Sequence, residues 1–272
     1  MNNQRIVLAS RSAAEPTTAN FRLEEVALAP LDDGQVRVKH HYLSLDPYMR
    51  GRMNDAKSYA QPQPLNETMI GGTVGEVVES RNSKFAVGDK VVGMGGWQQF
   101  STASGKGDIS KVDTTHIPLS AYLGSVGMPG MTAWYGLMKI CEPKAGETVC
   151  VDAASGAVGS VVGQLAKLKG MHVVGIAGGV EKCAYVKNEL GFDDCIDYKA
   201  FPDPKAFYSA LKAVTPRGID CHFENVGGTI MDAVMLRMNA FGRVAMCGMI
   251  SGYNGAPIPM MAPQLILQSR LK

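Results

Sequence analysis

The sequence has no run of about 18 apolar residues, the length at which a helix begins to span a bilayer, so no membrane segment is expected. It has no block of like charge: 27 basic and 25 acidic residues leave a net charge of +2, which gives neither nucleic acid nor an anionic membrane a surface to bind. It has no Cys-x-x-Cys, and none of Cys141, Cys150, Cys183, Cys195, Cys221 and Cys247 has a histidine at zinc-finger spacing. Reduced, mostly buried thiols in a cytoplasmic protein are expected. Met1-Asn2-Asn3-Gln4-Arg5 runs straight into a strand-like Ile6-Val7-Leu8, without the apolar core of a secretory signal. There is no internal repeat and no low-complexity segment. At 272 residues, 46% hydrophobic and 19% charged, the chain has a globular composition and the length for two domains.

What is present is a stretch around which the rest is organised, Thr148 to Gly163. Thr148-Val149-Cys150-Val151 is short, β-branched and apolar, as a strand covered on both faces should be. Asp152-Ala153-Ala154-Ser155-Gly156-Ala157-Val158-Gly159 then reads as a tight turn, in which Gly156 and Gly159 let the backbone approach a ligand. From Ala157 to Leu168, residues Val158, Val161, Val162, Leu165 and Leu168 fall at helical spacing and form one apolar face. A helix N-terminus behind a glycine turn receives an anion, most often a pyrophosphate, against the Gly156, Ala157, Val158 and Gly159 backbone. The pattern is Ala-x-x-Gly-x-x-Gly rather than Gly-x-Gly-x-x-Gly, and a turn that only packs helix on strand remains open.

Before this stretch the chain is β-rich. Strands are predicted at 22–29, 35–44, 73–79 and from Lys90 to Gly93, the last continuing towards Trp97-Gln98-Gln99-Phe100, with Gly and Pro between them. These make a small, partly open barrel. The polar, proline-rich loop 57–68 interrupts it, as lids and binding loops do. Helices are predicted at 120–126 and 131–140, with Pro129-Gly130 between them. From Thr148 onward strands and helices alternate: strands at 172–177, 195–197, 219–223 and 243–246, helices at 181–190, 204–214 and 228–237. That alternation gives an α/β fold with a doubly wound parallel sheet. Two domains follow, 1–120 and 121–272.

Strand 172–177 ends at Ala177-Gly178-Gly179 without the carboxylate that would hold both hydroxyls of an NAD ribose. Lys182 follows in the first turn of the next helix, where it can meet a 2′-phosphate. Both features favour NADP over NAD. Glu181 is expected at the helix N-terminus, pointing away. Ligands of such sheets bind beyond the carboxyl ends of the strands, where Glu224-Asn225-Val226-Gly227-Gly228 and Cys247-Gly248-Met249-Ile250-Ser251-Gly252-Tyr253-Asn254 lie. Asn225 either bonds the nicotinamide ribose or makes a turn; Tyr253 either reaches a substrate or packs on its loop.

Leu43 to Met53 (Leu-Ser-Leu-Asp-Pro-Tyr-Met-Arg-Gly-Arg-Met), Gly127-Met128-Pro129-Gly130-Met131-Thr132-Ala133, the turn from Ala153 to Gly159, Ala177 to Cys183 and Glu224 to Gly228 occur in order over nearly the whole chain. Together they resemble the medium-chain dehydrogenase/reductase superfamily, in its zinc-free leukotriene hydroxydehydrogenase and prostaglandin reductase branch, and above all the bacterial curcumin-reductase-like members. The resemblance implies a GroES-like partly open barrel carrying substrate and catalytic groups, followed by a Rossmann domain. It implies NADP(H) held by the Gly156–Gly159 backbone, Lys182, Tyr198, Asn225 and the loop of Cys247, Gly248, Met249, Ile250, Ser251 and Tyr253, with Met128 and Thr132 lining the nicotinamide. Zinc-dependent relatives carry ligands where this chain has Ser44-Leu45-Asp46 and Ile70-Gly71-Gly72-Thr73, so no metal is expected. His40 and His41 are adjacent on a strand and point to opposite faces.

Without a Lewis acid, reduction of an activated carbon–carbon double bond suits the site better than alcohol–ketone exchange. The carbonyl oxygen of a hydrophobic α,β-unsaturated ketone or aldehyde would need a donor as charge develops. Tyr253 is the first candidate. Tyr59 is the second, because the bacterial members have a tyrosine there. Met128, Met131, Met249 and Met260 either line the cleft or fill the core. A quinone reductase, and an NADPH-binding protein without turnover, are the alternatives. The family continues past Lys272 with a last Rossmann strand and a return segment, on the order of 60–70 residues, which normally carry nicotinamide contacts and much of a homodimer interface. The 121–272 domain is therefore expected to be incomplete, with strand 243–246 left at the sheet edge and dimerisation in doubt.

Overall fold

Alternating apolar residues pair up first in the N-terminal part. In the computed structural model, which describes residues 2–255, 258, 260 and 263–272, β1 (Asn2–Leu8) lies antiparallel to β2 (Phe21–Ala27), with Asn2 opposite Ala27 and Leu8 opposite Phe21. There follow β3 (Val36–Leu43), the short helix α1 (Tyr48–Arg52), β4 (Thr73–Ser80), β5 (Lys90–Gly93), β6 (Phe100–Ala103) and β7 (Ile109–Lys111). The last five strands form one antiparallel sheet in the order β6-β3-β4-β5-β7. The β3–β4 pairing slips twice, between Arg37 and Val38 and between His40 and Tyr42. Each bulge bends and twists the pair, which curls the sheet around Val36, Val38, Val77, Phe85, Val91 and Ala103. This is the expected partly open barrel.

Three local expectations change. The strand at Lys90 does not run on to Phe100; the chain leaves it at Gly93, turns at Gly96 (φ +76) and returns as β6 on the far side of β3. β7 was not foreseen. The predicted helix at 120–126 is a 3-10 segment, Leu119–Leu123, ended at Gly124, whose φ −122 and ψ −113 no helix allows.

The chain divides into two compact units, Met1–Gly127 and Met128–Lys272. The second opens with α2 (Met128–Tyr135), which passes directly into a π-helical segment, Gly136–Cys141. Pro129 does not separate two helices. It sits in the first turn, where its missing N–H would have had no partner. Then come β8 (Thr148–Val151), α3 (Gly159–Leu168), β9 (His172–Ala177), α4 (Val180–Asn188), β10 (Asp194–Asp197), α5 (Pro204–Val214), β11 (Ile219–Glu224), α6 (Gly228–Met235), β12 (Met238–Met246) and α7 (Gln264–Gln268). The strands are parallel, in the order β10-β9-β8-β11-β12. This is the doubly wound Rossmann arrangement, with the order reversing between β8 and β11.

Successive strand residues face opposite sides, which explains why these strands are apolar throughout. Val149, Val151, Val173, Cys221, Phe223 and Ala245 pack with Ala133, Leu137, Val162 and Ala166 on one side. Cys150, Ile176, Ile196 and Ile219 pack with Phe207, Leu211, Ile230 and Val234 on the other. β12 starts five residues earlier than predicted, because Met238 pairs with Ile219 before the register shifts. It is the outer strand of the sheet, and Lys272 lies along it, donating to Gly242 O (3.0 Å) and accepting from Val244 N (2.9 Å).

Candidate active site

The turn after β8 is folded around one carbonyl. Ala153 takes a left-handed φ of +45, and its oxygen accepts from Gly156 N at 2.8 Å. A Cβ on Gly159 would stand 2.4 Å from that oxygen, and one on Gly156 would stand 3.1 Å from it. Gly159 is thus required by the turn itself, while at Gly156 the fit is only tight. Beyond it α3 begins with no side-chain cap; Ser160 N donates to Gly156 O (2.9 Å) and Val161 N to Val158 O (3.1 Å), so what this end can offer an anion is the helix dipole and the turn backbone before those two amides. Ala157 is exposed and Val158, the N-cap, half-buried.

Beside this turn is a cavity of about 270 Å³ lined by Ser155, Gly156, Gly178, Lys182, Tyr198, Lys199, Val226 and Ile250, among others. Its charged lining residues, among those described, are Lys182 and Lys199. Glu181 is exposed and does not line it. Tyr198 packs so closely on Gly178 that a Cβ there would meet its ring at 2.9 Å. The carboxylate nearest the tip, Asp197, accepts from Gly179 N (2.8 Å) and Lys199 N (3.0 Å) and so holds the tip in place. Lys199 and Ser155 were missed in the sequence; the position of Lys199 beside Tyr198 was the available signal.

A second, apolar groove of about 400 Å³ is lined by Met128, Met131, Thr132, Tyr135, Gly136, Phe223, Met246 and Cys247, among others. Met128 and Thr132 therefore meet, though the Thr132 hydroxyl donates to Met128 O at 2.8 Å. Gly136, at the start of the π-helical segment, lies against Phe223, where a Cβ would meet the ring at 2.4 Å. Met260 packs on the core beneath α5 and α6, while Met249 covers Gly227. The segment from Cys247 to Ser251 joins the two hollows, Cys247 lining one and Ile250 the other. It is pinned by Cys247 N and Gly248 N to Glu224 O, Ile250 N to Asn225 O, and Ser251 N to Val226 O. Asn225 also donates to Asp152 O through its side chain, at 3.1 Å.

The two tyrosines sit in different units. Tyr253 Oη accepts from Met249 N at 3.4 Å, which leaves its own proton to give. Tyr59 is 86% exposed, with the Arg52 guanidinium 5.7 Å from its ring centre.

A cluster absent from the sequence reading lies under the turn: Asp152, His222 and Glu224, all fully buried, with donor atoms within 4.8 Å of one another. His222 Nδ1 faces Cys150 O at 3.1 Å, and since a carbonyl only accepts, that nitrogen carries a proton. His222 Nε2 meets Glu224 Oε2 at 3.0 Å. Glu224 Oε1 accepts from Val226 N and Gly227 N, both at 2.6 Å. Asp152 Oδ1 accepts from Asn225 N at 2.7 Å, and its Oδ2 has no donor. Burial, and then Glu224 beside it, push the Asp152 acid up to about 8. Burial opposes charge on His222 and Glu224 too, but the hydrogen bond to Cys150 and then the one to Glu224 raise the imidazole well above its usual value, and the bond to His222 lowers the Glu224 carboxyl. At neutral pH the group is neutral acid, imidazolium and carboxylate. The signal was the His-x-Glu spacing on β11, which puts both side chains on one face.

Comparison with known proteins agrees with this architecture. Residues 4–112 match a family described as the N-terminal domain of oxidoreductase, and residues 157–271 one described as zinc-binding dehydrogenase. The NADPH-dependent curcumin reductase of Escherichia coli (strain K12) is 48% identical over 94% of this chain and 73% of its own length. The chain belongs to the medium-chain dehydrogenase/reductase superfamily. Prostaglandin reductase 1 of Rattus norvegicus is 46% identical, over 94% of this chain and 76% of its own. The crystal structure of CurA in complex with NADPH from Vibrio vulnificus superposes with a TM-score of 0.92 at 46% identity, covering 99% of this chain and 80% of that one.

Zinc, which the second family description implies for this superfamily, does not fit the residues present. In the first unit both His40 nitrogens are engaged, by Gln98 O (2.9 Å) and Ser101 Oγ (2.8 Å), while His41 faces Glu76 at 3.9 Å from an exposed position. In the second, both His222 nitrogens carry protons, towards Cys150 O and Glu224 Oε2, and the Glu224 oxygens already accept N–H groups.

Proposed function

We propose that this member of the superfamily is a zinc-independent, NADPH-dependent reductase of the activated C=C bond in α,β-unsaturated ketones and aldehydes. The observation that carries the coenzyme choice is the cavity beside the glycine turn, with two lysines and no carboxylate among its described lining residues. A dianionic 2′-phosphate gains from both cations there and meets no like charge. The uncapped start of α3 takes the pyrophosphate, with Gly156, Ala157, Val158 and Gly159 as its backbone cradle. Tyr198 covers the adenine side, Asn225 and the segment 247–251 hold the nicotinamide ribose, and Met128 and Thr132 lie along the nicotinamide. The names of the relatives, an NADPH-dependent curcumin reductase and a prostaglandin reductase, support the same chemistry.

Bound NADPH supplies a hydride for the β-carbon of the enone. The chain supplies an apolar groove rich in methionine, which suits a hydrophobic substrate, and a phenol for the carbonyl oxygen. Tyr253 is the first choice, because its oxygen already accepts an N–H and its proton is free to stabilise developing negative charge. Tyr59 is the second. Residues 1–120 are assigned a share of the substrate and catalytic groups, Tyr59 among them, and 121–272 the coenzyme together with the apolar groove. A cytoplasmic setting accords with six free cysteines.

Oxidation of NADPH, followed by absorbance with a medium-length enone and then with a quinone, tests the reading. Turnover of the enone is expected. Reaction with the quinone alone would select the alternative, and coenzyme binding without turnover of either would leave only a binding protein. Lys182→Ala should weaken NADPH about tenfold or more while leaving NADH little changed, since one charge-assisted contact is lost only with the phosphate. Equal loss of both coenzymes would remove the assignment of Lys182.

A further inference from the structure

The buried cluster beneath the turn sits at the tips of β8 and β11, and its partners are the backbones of the segments assigned above to the coenzyme. Glu224 is the centre. Its carboxylate accepts from Val226 N and Gly227 N, and its carbonyl accepts from Cys247 N (2.8 Å) and Gly248 N (3.1 Å). One residue thus fixes the start of both loops. Asp152 adds a third point, taking Asn225 N with Oδ1 and its side-chain amide with the carbonyl.

Glu224 cannot hold this position by its own rotamer alone, for it is fully buried and charged, and an unpaired buried carboxylate would take up a proton. His222 prevents that. Its ring is locked by Nδ1 on Cys150 O of β8 and presents Nε2–H to Glu224 Oε2. A charged acceptor makes shorter and stronger bonds to N–H groups than a neutral acid would. We propose that His222 is a positioning residue for coenzyme binding: it keeps Glu224 ionised and aimed, so that loops 225–228 and 247–251 stand ready before NADPH arrives. This rests on the function proposed above for the loops, but the clamp itself does not depend on it. A metal ion among the same three groups is the competing reading. The geometry disfavours it, since Glu224 Oε1 already serves two N–H donors and Nε2 and Oε2 stand at hydrogen-bond distance.

Amide hydrogen exchange without coenzyme, paired with NADPH titration by fluorescence, tests the proposal. The variants are His222→Phe, which keeps the ring volume and removes both hydrogen bonds, His222→Gln, whose amide can still donate towards Glu224, and Glu224→Gln. In His222→Phe, Val226 and Gly227, and with them Ile250 and Ser251, which donate to Asn225 O and Val226 O, should exchange at least tenfold faster while the amides of α3 and of β1 to β7 keep their rates. Its Kd for NADPH should rise about tenfold, the size of one charge-assisted hydrogen bond, with kcat at saturating coenzyme little changed, and His222→Gln should recover most of it. If His222→Phe does not fold, Glu224→Gln carries the same two readouts. Loop amides that exchange as before overturn the clamp, and so does a stoichiometric metal found in the purified protein by elemental analysis. Failure of the wild-type protein to bind NADPH overturns the functional reading instead, and leaves the exchange result to decide the clamp.

Discussion

The ring of Phe192 lies on the backbone of Gly163, so close that a Cβ there would stand 1.8 Å from Cζ and 2.0 Å from Cε1. This contact sets how closely α3 lies on the sheet, and so how near its N-terminal end stands to the tip of β8. Phe192 is itself buried among Val162, Ala166, Val173 and Val186, so the ring has nowhere to go. Gly163→Ala should therefore lower stability by about 1–3 kcal/mol, the usual range for forcing extra volume into a packed core. Urea unfolding would show it as a lower midpoint; an unchanged midpoint would mean that the ring moves freely.

The two glycines of the turn should not be equivalent. A Cβ on Gly159 would meet the Ala153 carbonyl at 2.4 Å, against 3.1 Å for Gly156. A backbone oxygen already held by a left-handed residue cannot swing aside, whereas a few tenths of an ångström can be absorbed at Gly156. Gly159→Ala should weaken NADPH by about tenfold or more, with a stability loss of about 1–3 kcal/mol, and Gly156→Ala should cost clearly less on both counts. Titration and thermal melts of the pair would check the order. The reverse order would show that ligand approach, rather than the Ala153 carbonyl, sets the requirement.

The Rossmann strands were readable where both faces are buried. β9 and β8 are short runs of β-branched and apolar residues and have the predicted bounds. β12 was half missed because its first residues, Met238-Asn239-Ala240-Phe241-Gly242, lack that signature; only Met238 pairs with β11, opposite Ile219, and the next four fall in the register shift. The breaks in the barrel were missed for a related reason: bulges at Arg37 and His40 leave no periodic trace. Tyr198 came only with the family resemblance. Gly156 and Lys182 could be placed together because each sits at a fixed offset from a strand end. Asp152 and His222 could not. They are seventy residues apart, each looks like a chance polar residue among apolar neighbours, and only the adjacency of β8 and β11 unites them.

Arg243 ties the far end of the π-helical segment to the sheet. It donates to Glu147 Oε1 (3.0 Å) through Nη1, to Cys141 O (2.7 Å) through Nε and to Glu142 O (3.2 Å) through Nη2. Glu142 is left-handed, φ 46, and closes the π-helical segment that lines the apolar groove. A lysine keeps the charge but not the planar fork of donors. Arg243→Lys should thus cost about 1–3 kcal/mol, and the end of the π-helical segment should exchange its amides faster. A lysine variant as stable as the parent would show that charge alone holds the bend.

Asp152 should make stability fall as the solution becomes alkaline. Its native acid is raised to about 8 by burial and by Glu224, whereas in the unfolded chain it ionises near 4. Between those values the folded state holds a proton that the unfolded state has released, so rising pH favours unfolding, with the full cost reached above about pH 8. His222, raised well above its usual value, acts in the same direction, its contribution present in acid and lost as pH climbs through its native value. Glu224, lowered to about 2, acts on the other side, its contribution lost only as pH drops towards that value. The neighbouring Cys150 and Cys247 thiols are both pushed up by burial. An asparagine at 152 imitates the protonated acid: its oxygen can still accept Asn225 N, and its amide can donate to Glu224. Asp152→Asn should match the parent near pH 6 and exceed it near pH 9 by an amount on the order of a few kcal/mol, since only the parent must keep or shed a buried proton. Melting temperatures measured across that range decide it. Parallel curves for the two proteins would mean that Asp152 is ionised in the folded state and that the charge balance beneath the turn is different from the one drawn here.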